Sequence, residues 1–192
     1  RQLINLSGDV ELNPGPIDVT FGTLNCRGLK NKNKYNQLVN RINCTQFGTT
    51  SLIFAMQETH IEHNSLKFNW KGNHIFTEGC GNKGGLITLL SDNMIMLEEL
   101  HLEYEAQISL VEILEHKLKT KLIIVNLHSP CSHDENKTNF FKEIKQKITD
   151  LLSKHVDARV IILGDFNTTF KDEERNGTIR SISEKKIANR ID

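Results

Sequence analysis

Short apolar segments rich in β-branched residues alternate with charged segments from residue 17 onward. Apolar runs of this length, bounded by Gly, Asn, Asp and Ser, are typical of strands in a buried sheet. The pattern predicts eight strands, at 19–24, 52–56, 75–77, 85–90, 94–97, 108–114, 122–127 and 160–163.

Two other segments have the periodicity of an amphipathic helix. In residues 35–45, Leu38 and Ile42 lie one turn apart, and residues 139–154 carry an apolar stripe formed by Phe140, Ile144, Ile148, Leu151 and Leu152. Each predicted helix precedes a strand, but residues 75–127 contain only strands. A doubly wound sheet would have a crossover helix after each strand. We therefore expect an α/β fold in which two packed β-sheets are flanked by helices.

The composition is that of one globular domain. The chain has 192 residues, of which 38% are hydrophobic and 25% charged, and this length suits a single core. An apolar run of about 20 residues, which a membrane span needs, is absent from the sequence. The chain begins at Arg1 without a secretory signal, so we expect a nuclear or cytoplasmic fragment of a longer protein that is not secreted. The cysteines form no C-x-x-C pair, which predicts free thiols and no zinc site.

The first sixteen residues end in DVELNPGP, which occupies positions 9–16. This segment resembles the D-x-E-x-N-P-G-P ending of ribosome-skipping oligopeptides. The resemblance implies that the bond between Gly15 and Pro16 is not made and that the downstream product begins at Pro16. Proline has a constrained ring nitrogen and cannot continue a helix. The alternative is a Pro/Gly linker. We expect residues 1–16 to be a leader and residues 17–192 to be the domain.

Polar residues follow several of the predicted strands. Asn25, Glu58, Asp165 and Asn167 lie at the carboxyl ends of strands, where α/β folds place their sites. Magnesium prefers hard oxygen ligands and retains several waters, so one or two carboxylates and a phosphate oxygen suffice. Glu58 and Asp165 are the candidate carboxylates. The alternative is that each is a solvated carboxylate at a strand end.

Four blocks around these residues resemble those of the endonuclease/exonuclease/phosphatase superfamily, in the same order. They are LNCRGL at 24–29, MQETH at 56–60, NLHSP at 126–130 and GDFN at 164–167. The resemblance implies a four-layered α/β sandwich that hydrolyses a phosphodiester with Mg²⁺ or Mn²⁺. Glu58 would hold the metal, with Asn25 and Asp165 beside it; Asp165 would also orient or deprotonate the water, and Asn167 would bind the scissile phosphate.

Two positions depart from that pattern. His128 replaces a tyrosine common in retrotransposon and apurinic-site endonucleases; it either donates to a phosphate oxygen or is a structural histidine at a strand end. Arg190-Ile191-Asp192 resembles a block whose Asp orients a catalytic His, but no His follows. We therefore expect a domain that is incomplete at the C-terminus, with Asp192 as its last catalytic residue, an exposed sheet edge and impaired activity.

Basic residues follow the first strand. No Asp or Glu occurs between residues 19 and 57, whereas Arg27, Lys30, Lys32 and Lys34 cluster just after Asn25. The net charge is zero, so any attraction for nucleic acid must be local. These residues either bind DNA phosphates or form an ordinary solvated loop.

The features together predict a DNA-nicking endonuclease of the non-LTR retrotransposon type, with reverse transcriptase in the same polyprotein. A second hypothesis is that the chain is a catalytically inactive fragment or a weak nucleic-acid-binding module. A third is a phosphoesterase for a lipid or a nucleotide, ranked last because Phe166 and Phe170 are the only aromatic residues expected near the site. No oligomeric state follows from the sequence.

Overall fold

The computed structural model describes residues 19–45, 51–62, 70–102, 106–115, 118–131 and 135–167. The predicted leader with Gly15 and Pro16, Phe170 and the terminal block with Asp192 lie outside these ranges. The described elements, in chain order, are β1 (Val19–Asn25), α1 (Lys32–Thr45), β2 (Ser51–Gln57), β3 (His74–Cys80), β4 (Lys83–Leu90), β5 (Met94–Leu102), β6 (Ala106–Glu115), β7 (Leu118–His128), α2 (Glu135–Lys154) and β8 (Arg159–Asp165).

The strands form two four-stranded sheets. The first has the order β1-β2-β4-β3, and the second has the order β5-β6-β7-β8. In each sheet one pair is parallel, β1 with β2 and β7 with β8, and the other pairs are antiparallel. The prediction of two sheets with flanking helices is confirmed. Neither described helix is long and apolar enough to cross a membrane.

Each parallel pair is joined by one helix, and each helix covers the outer face of its own sheet. Tyr35, Val39 and Ile42 of α1 pack with residues of β2 and β4 such as Met56 and Leu89. On the other side, Phe140, Ile144 and Leu151 of α2 pack against β6 and β7. The order of layers is therefore helix, sheet, sheet, helix.

The side chains that lie between the two sheets change from apolar to polar along the strands. At one end they are apolar, and the buried ones are Ile53, Ile75, Leu90, Met94, Val111, Ile113, Leu122 and Ile124. Side chains alternate between faces along a strand, so the same inner face continues to Gln57 on β2, Thr88 on β4, Gln107 on β6 and Asn126 on β7. The apolar end supplies hydrophobic stabilisation, and the polar end lies towards the carboxyl ends of the parallel strands.

Hydrogen bonds join the polar inner residues across the two sheets. Gln57 Nε2 donates to Asn126 Oδ1 at 2.8 Å, and Asn126 Nδ2 donates to Thr88 Oγ1 at 3.0 Å. Thr88 Oγ1 then donates to Gln107 Oε1 at 2.9 Å, and Gln107 Nε2 donates to Thr77 Oγ1 at 2.7 Å. Because buried amides are costly without partners, this network favours one relative position of the sheets.

Both helices begin earlier than the apolar pattern predicted. The α1 helix begins at Lys32 because Asn31 Oδ1 accepts hydrogen bonds from the backbone nitrogens of Asn33 and Lys34 at 2.9 and 3.2 Å, which is an N-cap. The α2 helix begins at Glu135, four residues before the predicted start, with its acidic residue in the first turn. Strands also extend past their apolar runs, since ladder hydrogen bonds do not require apolar side chains.

β1 and β8 are edge strands of their sheets, and several of their apolar side chains are exposed in the described part of the chain. Phe21 and Leu24 of β1 are 40% and 41% exposed, and Ile162 of β8 is 36% exposed. The interior strands β2 and β4 are almost entirely buried by comparison.

Replacing Asn126 with Ala should lower the free energy of unfolding by about 3 kcal/mol, because it removes the shorter of the two hydrogen bonds of Gln57 Nε2 and the donor to Thr88 Oγ1 in a buried layer. Urea denaturation measures the change. The control is Gln146→Ala on the exposed face of α2, expected to change stability by no more than about 0.5 kcal/mol. Equal stabilities of the two variants would contradict the importance of the network.

Candidate active site

Five of the predicted site residues meet at one end of the sandwich. Asn25 ends β1, Glu58 follows β2, His128 ends β7, and Asp165 ends β8 with Asn167 two residues later. The parallel pairings place Asn25 opposite Gln57 and His128 opposite Asp165. Asn25 Nδ2 donates to Asp165 Oδ2 at 3.1 Å, so a side-chain hydrogen bond joins the two sheets at the site itself.

Asp165 is held as a carboxylate. Its partial burial alone would raise its pKa, but the hydrogen bonds from the Asn167 backbone and the Asn25 amide and the positive charges of His128 and Lys137 outweigh burial and lower the pKa of Asp165. The Asn167 nitrogen donates to Asp165 Oδ1 at 3.0 Å. Both carboxylate oxygens therefore have a donor, which orients the group.

Asn167 is fixed in a turn that closes over β7 and β8. Its φ is 46°, a left-handed conformation in which Asn is one of the more tolerant residues. Its Nδ2 donates to Ser129 O at 2.6 Å, and its own carbonyl accepts from Lys137 Nζ at 2.7 Å. Gly164 precedes the turn, and a Cβ there would lie 2.0 Å from Leu127 O, so the G-D-F-N block needs glycine for the close approach of β7.

Glu58 lies between two histidines. Its Oε1 is 3.2 Å from His128 Nε2, and its Oε2 is 3.9 Å from His60 Nε2. The Glu58 side chain is 28% exposed, so the carboxylate can be reached from solvent. His128 thus contacts Glu58 and also lowers the pKa of Asp165 by its charge, which makes it part of the site whether or not it contacts a phosphate.

The backbone around Glu58 is held in a left-handed conformation. Glu58 and His60 have φ of 50° and 57°, and each such residue costs about 1 kcal/mol or more. Gly28 N donates to Glu58 O at 2.7 Å on one side, and His60 N donates to Gly84 O at 2.9 Å on the other. A Cβ at Gly85 would lie 2.4 Å from Thr59 Oγ1, so the β4 backbone is packed directly against this segment.

The predicted basic cluster divides into two kinds of residue. Lys34 Nζ donates to the carbonyls of Cys26 and Gly28, both at 2.8 Å, so it holds the loop after β1. Lys30 forms an ion pair with Glu62 at 3.2 Å, which offsets its charge. Arg27 and Lys32 are exposed, and Arg27 N donates to Asn25 Oδ1 at 3.1 Å. Arg27 and Lys32 are therefore the cations best placed to meet an anionic ligand.

The oxygen donors of the site suit magnesium. Glu58 offers a partly exposed carboxylate, and Asn25 and Asp165 add oxygens of the hard type that Mg²⁺ prefers. No group of three or more His, Cys, Asp or Glu among the described residues is arranged to hold a metal by itself. A magnesium ion with one protein carboxylate, a phosphate oxygen and waters does not need such a group, so the residues present fit that kind of site.

Cys26 lies between Asn25 and Arg27 but is not a nucleophile. Burial raises the pKa of its thiol to about 12, with Lys34 opposing and Glu58 adding to the shift, so the thiolate that nucleophilic attack requires is negligible at neutral pH. All four cysteines are free, as the sequence predicted.

Solved structures share this arrangement of sheets and helices. TDP2 from Caenorhabditis elegans is 18% identical with a TM-score of 0.53, and the match covers 80% of this chain and 48% of that one. TDP2 from D. rerio, complexed with a single-strand DNA product, is 16% identical with a TM-score of 0.51, over 79% and 60% of the two chains. The 3′ phosphatase NExo from Neisseria, bound to a product DNA hairpin, is 13% identical with a TM-score of 0.57, over 90% and 69%.

The chain has the same fold as these structures, with two mixed four-stranded sheets packed face to face and a helix on each outer side. At these identities the likeness establishes the architecture, and the predicted four-layered α/β sandwich is thereby confirmed. The chain spans about half the length of the C. elegans TDP2 structure. No family model and no curated protein matches the sequence.

Two residues of the site were missed by the sequence analysis. His60 appeared in the sequence only as the last residue of the MQETH block, and its approach to Glu58 depends on the left-handed turn that no periodicity reveals. Lys137 lies outside the helix that the sequence predicted, which began at residue 139. Extending the apolar stripe of α2 back by one turn from Phe140 would have put Lys137 on the buried face.

The lowered pKa of Asp165 should make the free energy of unfolding depend on pH in the acidic range. The pKa of Asp165 is lower in the folded state than in the unfolded state, where it is about 4. The resulting stabilisation is fully present above the unfolded-state pKa, and it is lost as the pH falls through the folded-state pKa. The unfolding free energy of the wild type relative to Asp165→Asn should therefore decline below about pH 4. Urea titrations between neutral and acidic pH measure it, with exposed Asp157→Asn as control. A difference independent of pH would contradict the assigned contacts.

Proposed function

We propose that this chain carries the site of a metal-dependent phosphodiesterase that nicks DNA, of the type found in non-LTR retrotransposon endonucleases. The observation that carries the proposal is the hydrogen bond of Asn25 to Asp165, which brings the polar ends of two separate parallel strand pairs into one site. Glu58, His128 and Asn167 complete the group.

Each residue has a role in this proposal. Asp165, a carboxylate at neutral pH, orients the attacking water or accepts its proton. Asn167 donates to an oxygen of the scissile phosphate, and His128 is placed to donate to another. Glu58 and Asn25 would hold Mg²⁺ or Mn²⁺, which supplies Lewis-acid stabilisation of charge on the phosphoryl and leaving oxygens. Asp192, outside the described residues, is proposed to belong to the same site.

DNA is the proposed substrate because of the residues that border the site. The exposed Arg27 and Lys32 lie on the loop and helix that follow Asn25, where a duplex backbone can be contacted. Phe166 stacks on Phe141, with ring centroids 6.4 Å apart, and Trp70 is buried and donates to Leu90 O. These aromatic rings are committed to packing, which disfavours the lipid or nucleotide alternative. Similar structures of TDP2 and NExo hold DNA.

The leader supports a mobile-element origin. The DVELNPGP segment at 9–16 resembles ribosome-skipping sequences, and such a sequence suits a polyprotein that also encodes a reverse transcriptase. In that context a nick would provide the 3′ end from which reverse transcription begins. The protein would then act in the nucleus, after synthesis in the cytoplasm.

A second candidate is a nucleic-acid-binding module without catalysis. The contact of His128 with Glu58 favours it, since the imidazole occupies an oxygen that a metal would need. Glu62 pairs with Lys30, and loop carbonyls accept hydrogen bonds from Lys34. Few cations would therefore be available to DNA phosphates, and the module would bind nucleic acid weakly.

The 192-residue chain should nick supercoiled plasmid when Mg²⁺ is supplied, at the impaired rate that the sequence led us to expect. Glu58→Gln and Asp165→Asn keep the side-chain shapes, and each should reduce the nicking rate by at least about 100-fold, because members of a concerted catalytic set fail together. Asp157→Asn, which lies on a distant turn, is the matched control and should nick like the wild type. Gel quantification of nicked circles gives the rates.

The outcomes separate the candidates. Nicking that survives in both Glu58→Gln and Asp165→Asn would come from a contaminating nuclease and would refute the site. A folded chain that does not nick but retards DNA, with a salt-dependent affinity, would favour the binding module.

The leader has its own test. Residues 1–17, placed between two reporter proteins in a eukaryotic cell-free translation, should yield two separate products. Pro16→Ala should yield one fused product, because the slow ring nitrogen of proline is then replaced by an ordinary amine. Gln2→Ala is the control and should keep the separation. A single fused product from the unaltered segment would make residues 1–16 a linker.

A further inference from the structure

Lys137 is a fully buried lysine in the first turns of α2. Its relative exposure is 0%, whereas lysine is almost never fully buried unless it is paired, since removing an ammonium from water is costly. The other buried residues of the helix, Phe140, Ile144 and Leu151, share the same face. An apolar residue would suit this stripe, so packing alone does not explain a charged one.

The ammonium of Lys137 reaches the site. Its Nζ donates to Asn167 O at 2.7 Å, and this carbonyl belongs to a residue with φ of 46°. The same turn is held by Asn167 Nδ2, which donates to Ser129 O. An amide nitrogen has two hydrogens, and among the described residues only Ser129 accepts from this one. Within the described part of the chain, the second hydrogen can be donated to a ligand oxygen.

We propose that Lys137 is a positioning residue that holds the Asn167 turn so that its side-chain amide faces the reacting phosphate. This proposal rests on the proposed function, since it concerns the same site. Lys137 acts from α2 through Asn167 and does not touch the substrate. Without the ammonium, the Asn167 carbonyl would lack its charged donor, and the left-handed turn would lose one of the contacts that oppose its backbone strain.

A positioning lysine and a structural lysine respond differently to Lys137→Met. Methionine preserves most of the aliphatic volume and removes the charge, and replacing a buried charged group with an apolar one is often neutral or stabilising. A positioning role therefore predicts lost activity at unchanged or higher Tm. A structural role predicts lower Tm with unchanged activity per folded molecule.

The test combines kinetics with a signal from Asn167 itself. Four proteins are compared: the wild-type chain, Lys137→Met, Lys137→Arg and the control Lys142→Met, which removes an exposed lysine from the same helix. In Lys137→Met, kcat for plasmid nicking should fall at least about tenfold, about 1.4 kcal/mol in the barrier, while KM changes less than about threefold. Lys137→Arg should recover part of kcat, because it retains a charged donor.

The NMR readout does not require activity. In protein labelled with ¹⁵N-asparagine, the backbone and side-chain amide signals of Asn167 should shift or broaden in Lys137→Met and stay in place in Lys142→Met. Inorganic phosphate, added as a probe, should shift the Asn167 side-chain signal in the wild type more than in Lys137→Met.

Each outcome decides the proposal. Unchanged Asn167 signals in Lys137→Met, or a Lys137→Met chain that fails to fold, would overturn it. A wild-type chain that does not nick DNA would count against the proposed function alone, and the NMR comparison would still establish whether Lys137 positions Asn167.

Discussion

The hydrogen bond between Gln57 and Asn126 is the contact on which the rest of the arrangement depends. It pairs β2 of one sheet with β7 of the other inside a layer with no water-facing alternative for either amide. Apolar contacts elsewhere between the sheets are not directional, so a small displacement would preserve them, whereas the hydrogen bonds of Asn126 to Gln57 and Thr88 would break. The network thus sets the relative position of the sheets, and Asn25 meets Asp165 as a result.

Rigid backbone supports the site on both sides. Arg27, Glu58, His60 and Asn167 all have positive φ, and all lie within a few residues of a strand end. Backbone hydrogen bonds from the adjoining loops hold Glu58 and His60, while side chains hold Asn167. The strain is therefore present before any ligand binds, which is the condition for a site that does not have to reorganise during reaction.

The sequence was informative where physical effects are local. Apolar runs rich in β-branched residues predicted the eight strands that the structure describes, and helical periodicity predicted its two described helices. Strand ends predicted that Asn25, Glu58 and Asp165 would meet. It was less informative where the decisive contact is distant in sequence. The N-cap at Asn31 shifted the start of α1, and the burial of Lys137 depends on a carbonyl 30 residues away. The engagement of Lys34 by loop carbonyls likewise cannot be inferred from charge alone.

The contact of Asn25 with Asp165 can form only late in the synthesis of the chain. The two residues are 140 positions apart, and ribosomes add about 5 to 20 residues per second. A nascent chain therefore exposes Asn25 and Glu58 on the order of ten seconds before Asp165 exists to join them. During that interval the first parallel strand pair carries only part of the polar cluster, which is completed when β8 has been synthesised.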